Sequence, residues 1–407
     1  METGRRDALE GVKVVEFGGY AAGPFIGKYL ANFGATVVHV ESKERPDGFR
    51  LQYPPFKDDR IGINRSGCFT IHNDSKYGIT LNLKHPEGKR LAYRLVQWAD
   101  IVIENMRPGV MARLGLDFQT LCRVNPRLVM LSTSNMGQTG PWALHPGFGS
   151  QLSSYSGFTN LVGEPDGPPQ LIYGPYVDYV AVGFGGVAVL AALDYSRRTG
   201  QAVYIDLSQY EAGVHFISPA LLDYEVSGRI AHREGNRDPV AVPHGCFPCR
   251  DGQWCAISCW DDQEWERLAH AVGHPEWCED PRFRTAPERK RHEAELHRRL
   301  AEWTKEREAR DVMWHLQRHG VHAACVNTMK DLFSDPQLLF RRVWQEHEHP
   351  EMGRVCYRMV SYQLSETPGF IRRGAPCLGQ DTRTVFIEML GLSEREFEDL
   401  QEKGVFE

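Results

Sequence analysis

Leu171-Ile-Tyr-Gly-Pro-Tyr-Val-Asp178-Tyr-Val-Ala-Val-Gly-Phe-Gly-Gly-Val-Ala-Val-Leu-Ala-Ala-Leu193 is the stretch around which the chain is organised. A Gly-Pro turn at 174–175 precedes a run of small and apolar residues whose only acid, Asp178, stands at the front edge. Val187 to Leu193 reads as a fully buried helix, and Gly183, Gly185 and Gly186 as points of close backbone approach. A carboxylate where a helix begins can accept hydrogen bonds from the unpaired N–H groups of the first turn, so Asp178 taken alone reads as a cap. The competing reading is a nucleophile in a turn lined by Tyr and Gly. The rest of the chain decides between them.

With 407 residues there is room for two domains, each with a substantial core. The net charge of −6 comes from interspersed acids and bases, which argues against a nucleic-acid partner. No apolar run reads as long enough to span a membrane, and Met1-Glu-Thr-Gly-Arg-Arg-Asp7 lacks the apolar core of a signal peptide. A cytoplasmic location with no membrane partner is therefore expected. Ten cysteines in a chain of this size do not form a disulfide framework. Cys246 and Cys249, followed by Cys255 and Cys259, suggest a zinc site, but the second pair has one residue too many between its members. Both pairs fall in an alternating apolar stretch, so they are read as buried strand thiols, with no metal.

Gly11-Val-Lys-Val-Val-Glu-Phe17 reads as a buried strand of a parallel sheet. A tight turn follows at Gly18-Gly-Tyr-Ala-Ala-Gly-Pro24, then a helix to about Phe33 and a second strand at Thr36–Val40. This is a βαβ unit, the start of an α/β fold. Glu41 lies at the distance a dinucleotide fold requires, but the glycines are spaced G-G-x-x-x-G. A redox cofactor is thus not expected, although phosphates or a pantetheine arm could lie against the turn. Residues 44–70 read as an irregular loop, 74–84 as carrying a short strand, and Pro86 to Ala99 as a helix. Ile101–Glu104 is a further strand that empties into Asn105-Met-Arg-Pro-Gly109, and Arg113 lies one turn into the next helix. Strands after Arg127 and Ala202 complete the large domain, 1–210. Residues 211–235 read as a connector, and 236–330 as a smaller α+β domain opening with a hairpin around Arg250-Asp-Gly252 and continuing as helices over 261–320.

His145, Phe148, Tyr155, Phe158, Tyr173, Tyr176 and Tyr179 are dense among Gly and Ser. They read either as the wall of a ligand cavity or as ordinary loop anchors.

Nine markers stand in order along the chain: Leu9-Glu-Gly-Val-Lys-Val-Val-Glu16, Ala22-Gly-Pro24, Phe33-Gly-Ala-Thr-Val-Val-His-Val-Glu41, Glu104-Asn-Met-Arg-Pro-Gly109, Arg113-Leu-Gly-Leu116, Asn125-Pro-Arg-Leu128, Gly137-Gln-Thr-Gly-Pro141, Leu190-Ala-Ala-Leu193 with Arg198-Thr-Gly-Gln201, and Ala375-Pro-Cys-Leu-Gly379. In these the chain resembles, over nearly its whole length, the class III coenzyme A transferases. That family includes formyl-CoA transferase and carnitine CoA-transferase, and also the α-methylacyl-CoA racemases. The resemblance makes Asp178 the nucleophile, with a coenzyme A thioester as substrate and no permanently bound cofactor. It places Ala21 and Ala22 beside the pantetheine, and Leu81 and Lys84 near the adenine nucleotide. Asn105, Met106 and Arg107 would form the loop contact, and Arg113 would bind phosphate. Ser42 stands where the family carries a basic residue, and Lys43 is its candidate substitute.

Racemases pair the aspartate with a histidine, because moving an α-proton needs an acid and a base. Phe148 holds that position, and His145 is expected to point elsewhere, so a transferase is favoured over a racemase. The resemblance further implies a Rossmann-like large domain and a small domain in an interlocked, ring-like dimer, homomeric or heteromeric. The segment 331–407 would be a connector that returns to the large domain. Phe148, Tyr155, Tyr173, Tyr176 and Tyr179 are expected to line a substrate pocket for a bulky or aryl-substituted acid such as benzylsuccinate, with succinyl-CoA as donor. A non-catalytic CoA-binding subunit is the alternative from another class.

Overall fold

Short runs rich in Val and Ile become the strands of a sheet buried on both faces. The computed structural model describes residues 7–407. Strands β1 (Lys13–Phe17), β2 (Thr36–Glu41), β3 (Tyr77–Thr80), β4 (Ile101–Glu104), β5 (Val129–Ser134) and β6 (Val203–Ser208) form one six-stranded sheet. Every pairing in it is parallel, and the order is β3-β2-β1-β4-β5-β6. β1 lies between β2 and β4, so the chain reverses its direction of travel across the sheet there. At such a switch point the loops leaving two neighbouring strands diverge and open a crevice at their carboxyl ends. Between β2 and β3 the expected irregular loop also carries a helix, Gly67–Asn73, capped by Ser66.

One face of the sheet buries Val15, Phe17, Val38, Val40, Val102 and Met130. It packs against Leu91, Ala92, Leu95 and Val96, the apolar stripe of the Pro86–Trp98 helix. The C-terminal segment joins this layer through Phe386, Phe397 and Phe406. It also covers the β3 edge. Asp381 accepts from Gly78 N–H at 2.9 Å, and Thr80 donates to the Phe406 carbonyl at 2.9 Å. An edge closed in this way is unavailable for pairing with another chain.

The opposite face packs Val14, Val37, Ile101, Ile103 and Leu131 against helices Ala22–Asn32 and Tyr176–Thr199. The second of these helices corrects three expectations. It is not buried all round, since Val182, Val189 and Leu193 face the sheet while Val187 is 72% exposed. Only Gly185 permits close approach, where a Cβ would meet Ile26 Cδ1 at 2.5 Å; Gly183 and Gly186 have open space beside them. Finally, its 24 residues are long and apolar enough by composition to cross a membrane. Part of that apolar character belongs to the stripe packed against the sheet, and a helix needs only one such stripe to sit on a core.

Two compact units are present. The first contains the residues up to Thr159, then Leu171–Arg229 and Pro336–Glu407. It includes the antiparallel hairpin β10 (Trp344–His349) with β11 (Gly353–Arg358). The helices Gln209–Phe216 and Ser218–Ser227 belong here rather than to a connector. The second unit comprises Asn160–Gln170 and Ile230–Asp335. Residues 160–170 join it because Gly163 and Gly167 carbonyls accept from Gly235 N–H and from the Arg233 guanidinium. Its sheet is antiparallel, with β8 (Trp254–Ser258) between β7 (His244–Pro248) and β9 (His322–Cys325). β9 follows the segment read as helical and was not expected. Cys249, Cys255 and Cys259 are buried, but Cys246 is exposed, because strand alternation turns it away from its neighbour Phe247.

Glu16 anchors a buried charged cluster under this fold. Its Oε2 accepts from Lys76 Nζ at 2.8 Å and lies 3.0 Å from His39 Nδ1. A Cβ at Gly27 would overlap Glu16 Oε1. Gly27→Ala should therefore drive the carboxylate off Lys76. Breaking a buried ion pair costs about 3–5 kcal/mol, against about 1 kcal/mol gained in helix propensity. Denaturant titration should show a net loss of roughly 2–4 kcal/mol.

Candidate active site

The crevice at the switch point is closed by two loops that hold each other. The turn after β1 begins with Gly18 at φ 136° and places Tyr20 at φ 62°, a left-handed conformation unusual for a large side chain. Asp47 Oδ1 fixes that conformation, accepting from Tyr20 N–H at 2.9 Å and from Phe49 N–H at 2.8 Å. Asn105, the first residue after β4, donates through Nδ2 to the Gly19 carbonyl at 2.6 Å. Its Oδ1 accepts from Gly19 N–H at 3.1 Å.

Asp178 meets this crevice from the Tyr176–Thr199 helix. It is the third residue of that helix, whose N-cap is Pro175 and has no side-chain cap. The cap reading is thereby corrected: Asp178 Oδ2 is buried and has no hydrogen-bond partner among the described residues. Burial pushes its carboxyl up to about 7. The Oδ2 atom rests directly against Gly149, at a place a Cβ would occupy. Together these loops enclose a cavity of about 360 Å³, to which Tyr20, Ala21, Asn105, Arg107, Phe148 and Asp178 contribute.

The expected coenzyme contacts are distributed along the carboxyl edge of the sheet. Ala21, Asn105, Met106 and Arg107 reach the cavity. Ala22 is buried at the start of the first helix, and Leu81 in the core beyond β3. Lys43 and Arg113 are exposed, and Lys84 pairs with Glu44 at 2.9 Å in solvent. Glu104, inside the same loop motif, accepts from Met106 N–H at 2.8 Å, and burial pushes its carboxyl up to about 7.

The aromatic side chains do not assemble as expected. Phe148 lines the cavity, with its ring 5.8 Å from Tyr20. Tyr155 is exposed near Trp142, and Tyr173 is wholly exposed. Tyr176 packs on Phe158 and Phe216, and Tyr179 on Phe25 and His72. The helical turn explains the divergence, because residues 176, 178 and 179 leave the helix in different directions. His145 is also corrected: it lines the cavity rather than pointing elsewhere, and stacks 5.9 Å from Trp142. Sequence reasoning missed Tyr20, Gly149, Thr133, Ser134 and Gln209, all at or against the cavity. The polar end of an otherwise apolar strand, Ser132-Thr-Ser134, was the available signal.

A Rossmann-ordered sheet with an unpaired, buried carboxylate at its switch point defines an α/β enzyme site. Residues 9–382 match the model of CoA-transferase family III, and the chain belongs to that family. It is 36% identical over 397 residues to the succinyl-CoA–D-citramalate CoA-transferase of Chloroflexus aurantiacus, covering 98% of each chain. It is 32% identical to the beta subunit of the succinyl-CoA–L-malate CoA-transferase of the same organism, again covering 98% of each. Among solved structures, a CaiB/BaiF family protein from Brucella suis superimposes with a TM-score of 0.87 at 30% identity, covering 95% of this chain and 100% of that one. The chain is a family III CoA-transferase, an enzyme that handles CoA thioesters.

The raised carboxyl of Asp178 predicts a pH-dependent stability change. Its folded value, about 7, lies above the ordinary carboxylate value, so the unfolded chain releases this proton first as pH rises. The group therefore lowers stability progressively between roughly pH 4 and pH 7. Asp178→Asn should raise Tm at about pH 8 and leave it nearly unchanged at about pH 4.

Proposed function

We propose that Asp178 is the nucleophile of a transferase that takes CoA from succinyl-CoA and passes it to a short dicarboxylic acid. The observation that carries this is the buried Asp178 side chain, whose Oδ2 has no partner and which lines a cavity, in a member of this family. The names of the two curated relatives support the substrate class, since citramalate and malate are both short dicarboxylic acids. Of the aromatic residues expected to hold an aryl acid such as benzylsuccinate, Phe148 lines the cavity but Tyr155, Tyr173, Tyr176 and Tyr179 do not, so the short diacid takes its place.

The chemistry follows from one carboxylate and needs no net proton transfer. An Asp178 oxygen attacks the thioester carbonyl of the donor; the C–S bond breaks and CoA leaves as thiolate, giving a mixed anhydride. The thiolate then attacks the aspartyl carbonyl, releasing the donor acid and leaving an aspartyl-CoA thioester. The acceptor carboxylate attacks that thioester and again expels the thiolate, forming a second anhydride. Attack of the thiolate on the acceptor carbonyl yields the new thioester and restores Asp178. Each anhydride is open to hydrolysis, so exclusion of water from the cavity is part of the mechanism. Ala21 would lie beside the pantetheine, the Asn105–Arg107 loop would contact the coenzyme, Arg113 would bind phosphate, Lys84 would lie near the adenine nucleotide, and Lys43 is the candidate for the family's basic contact.

His145 gives the racemase reading its one observation, a titratable side chain in the cavity with Asp178. It is exposed rather than buried, and the family match favours transfer. We also read the molecule as a dimer, as the family resemblance implies. Val187, Val226 and Phe340 are 72%, 77% and 85% exposed in a single chain, and a partner would cover such surface. The relative named as a beta subunit makes a heteromer the other arrangement.

Incubation with succinyl-CoA and then hydroxylamine should leave a modified Asp178, detectable by mass spectrometry, which Asp178→Asn lacks. The transfer rate should rise with pH through about 7 and then level off, because the ionised carboxylate attacks. An unmodified Asp178 with transfer intact, or solvent deuterium entering the α-carbon without CoA exchange, would overturn the assignment. Light scattering should give about twice the 46.3 kDa chain mass; a stable monomer, active alone, would sink the dimer.

A further inference from the structure

Three polar side chains at the cavity have no role in the mechanism above. Thr133 and Ser134 end β5, and Gln209 directly follows β6, which pairs with β5 through Thr133↔Leu207 and Ser134↔Ser208. All three are buried, at 0%, 7% and 4% exposure, and all three line the cavity that holds Asp178. Thr133 Oγ1, Ser134 Oγ and Gln209 Oε1 each lack a hydrogen-bond partner among the described residues. Their neighbours are satisfied: Ser132 bonds Glu104, Asn135 Nδ2 donates to the Gly147 carbonyl, and Ser208 caps the next helix. A buried polar atom without a partner costs about 1–3 kcal/mol, so three at one cavity call for a functional explanation.

We propose that Thr133, Ser134 and Gln209 form the subsite that binds the free, distal carboxylate of the acyl group carried by CoA, and so select dicarboxylic over monocarboxylic substrates. This rests on the transferase reading of the same cavity. Both hydroxyls can donate to a carboxylate, and the Gln209 amide can add an N–H after rotation about its last bond. Neutral donors suit a cavity that also holds the nucleophile. A lysine or arginine here would pair with Asp178 and stabilise its resting state, whereas hydroxyls and an amide hold the substrate's charge without competing for it. The cation of this cavity, Arg107, is exposed at its rim.

The test compares succinyl-CoA with butyryl-CoA, which has the same carbon count but no distal carboxylate, in transfer to one fixed acceptor acid. In Thr133→Val and Ser134→Ala the ratio of kcat/KM for succinyl-CoA to that for butyryl-CoA should fall roughly tenfold or more each, largely through KM. Thr133→Ser should restore the ratio. Butyryl-CoA on the same sample serves as the internal control for folding. An unchanged ratio, or an equal loss on both thioesters, would overturn the subsite. If wild-type enzyme gives no hydroxylamine-trappable Asp178 from succinyl-CoA, the transferase reading falls and the subsite with it. A trapped Asp178 with an unchanged ratio removes the subsite alone.

Discussion

The site depends on one side chain, Asn105, spanning the gap that the switch point opens. Loops leaving β1 and β4 run in different directions, and Gly19 would otherwise face the crevice with both its N–H and its C=O unpaired. Asn105 supplies one acceptor and one donor at the right separation and satisfies both. The glycines follow from this. A Cβ on Gly18 would overlap Asn105 Oδ1, one on Gly23 would come within 3.2 Å of Asn105 Cγ, and one on Gly19 would meet Asp47 Cγ at 2.8 Å. The G-G-x-x-x-G spacing is thus explained by two side chains that pin the turn. A dinucleotide fingerprint spaces its glycines for the approach of a pyrophosphate, so the two patterns differ for a physical reason.

With the turn pinned, the chemistry of Asp178 is a balance between two opposing effects. An acid in the first turn of a helix is normally stabilised as the anion by the helix dipole and by free N–H groups. Here burial outweighs that, because Oδ2 is pressed against Gly149 and receives no hydrogen bond. A carboxylate with one oxygen left without a partner is a stronger nucleophile than one that is fully capped. The glycine at 149 is the condition for this, since any side chain there would occupy the space of Asp178 Oδ2.

Much of the fold was legible in the sequence, and the reasons are local. The runs at 13–17, 36–41 and 101–104 are built mainly of Val and Ile, as buried parallel strands tend to be, and Gly23-Pro24 marks the first helix start. What could not be read was set by distant residues. The β3 edge is covered by Asp381 and the Phe406 carbonyl, some three hundred positions further along the chain. Residues 160–170 join the second unit through backbone bonds to residues some seventy positions away. At the site, Asp178 and the Asn105–Arg107 loop were recoverable from motifs. The aromatic pocket failed because composition says which side chains are near in sequence and nothing about the direction in which a helix projects them. Thr133, Ser134 and Gln209 were missed because a polar strand end looks ordinary until its hydrogen-bond partners are sought in three dimensions.

The same helix links the proposed nucleophile, the core and the proposed partner. Its first turn carries Asp178, one stripe packs Val182 and Val189 on the sheet, and the opposite stripe leaves Val187 and Leu190 uncovered in the single chain. Those demands conflict in a monomer, where the exposed stripe would favour any movement that hides it. A second chain covering it, as proposed above, would remove that tendency and fix the helix axis, and with it the position of the Asp178 carboxylate. On this reading assembly contributes to catalysis by preorganisation, without the partner having to place a residue in the cavity.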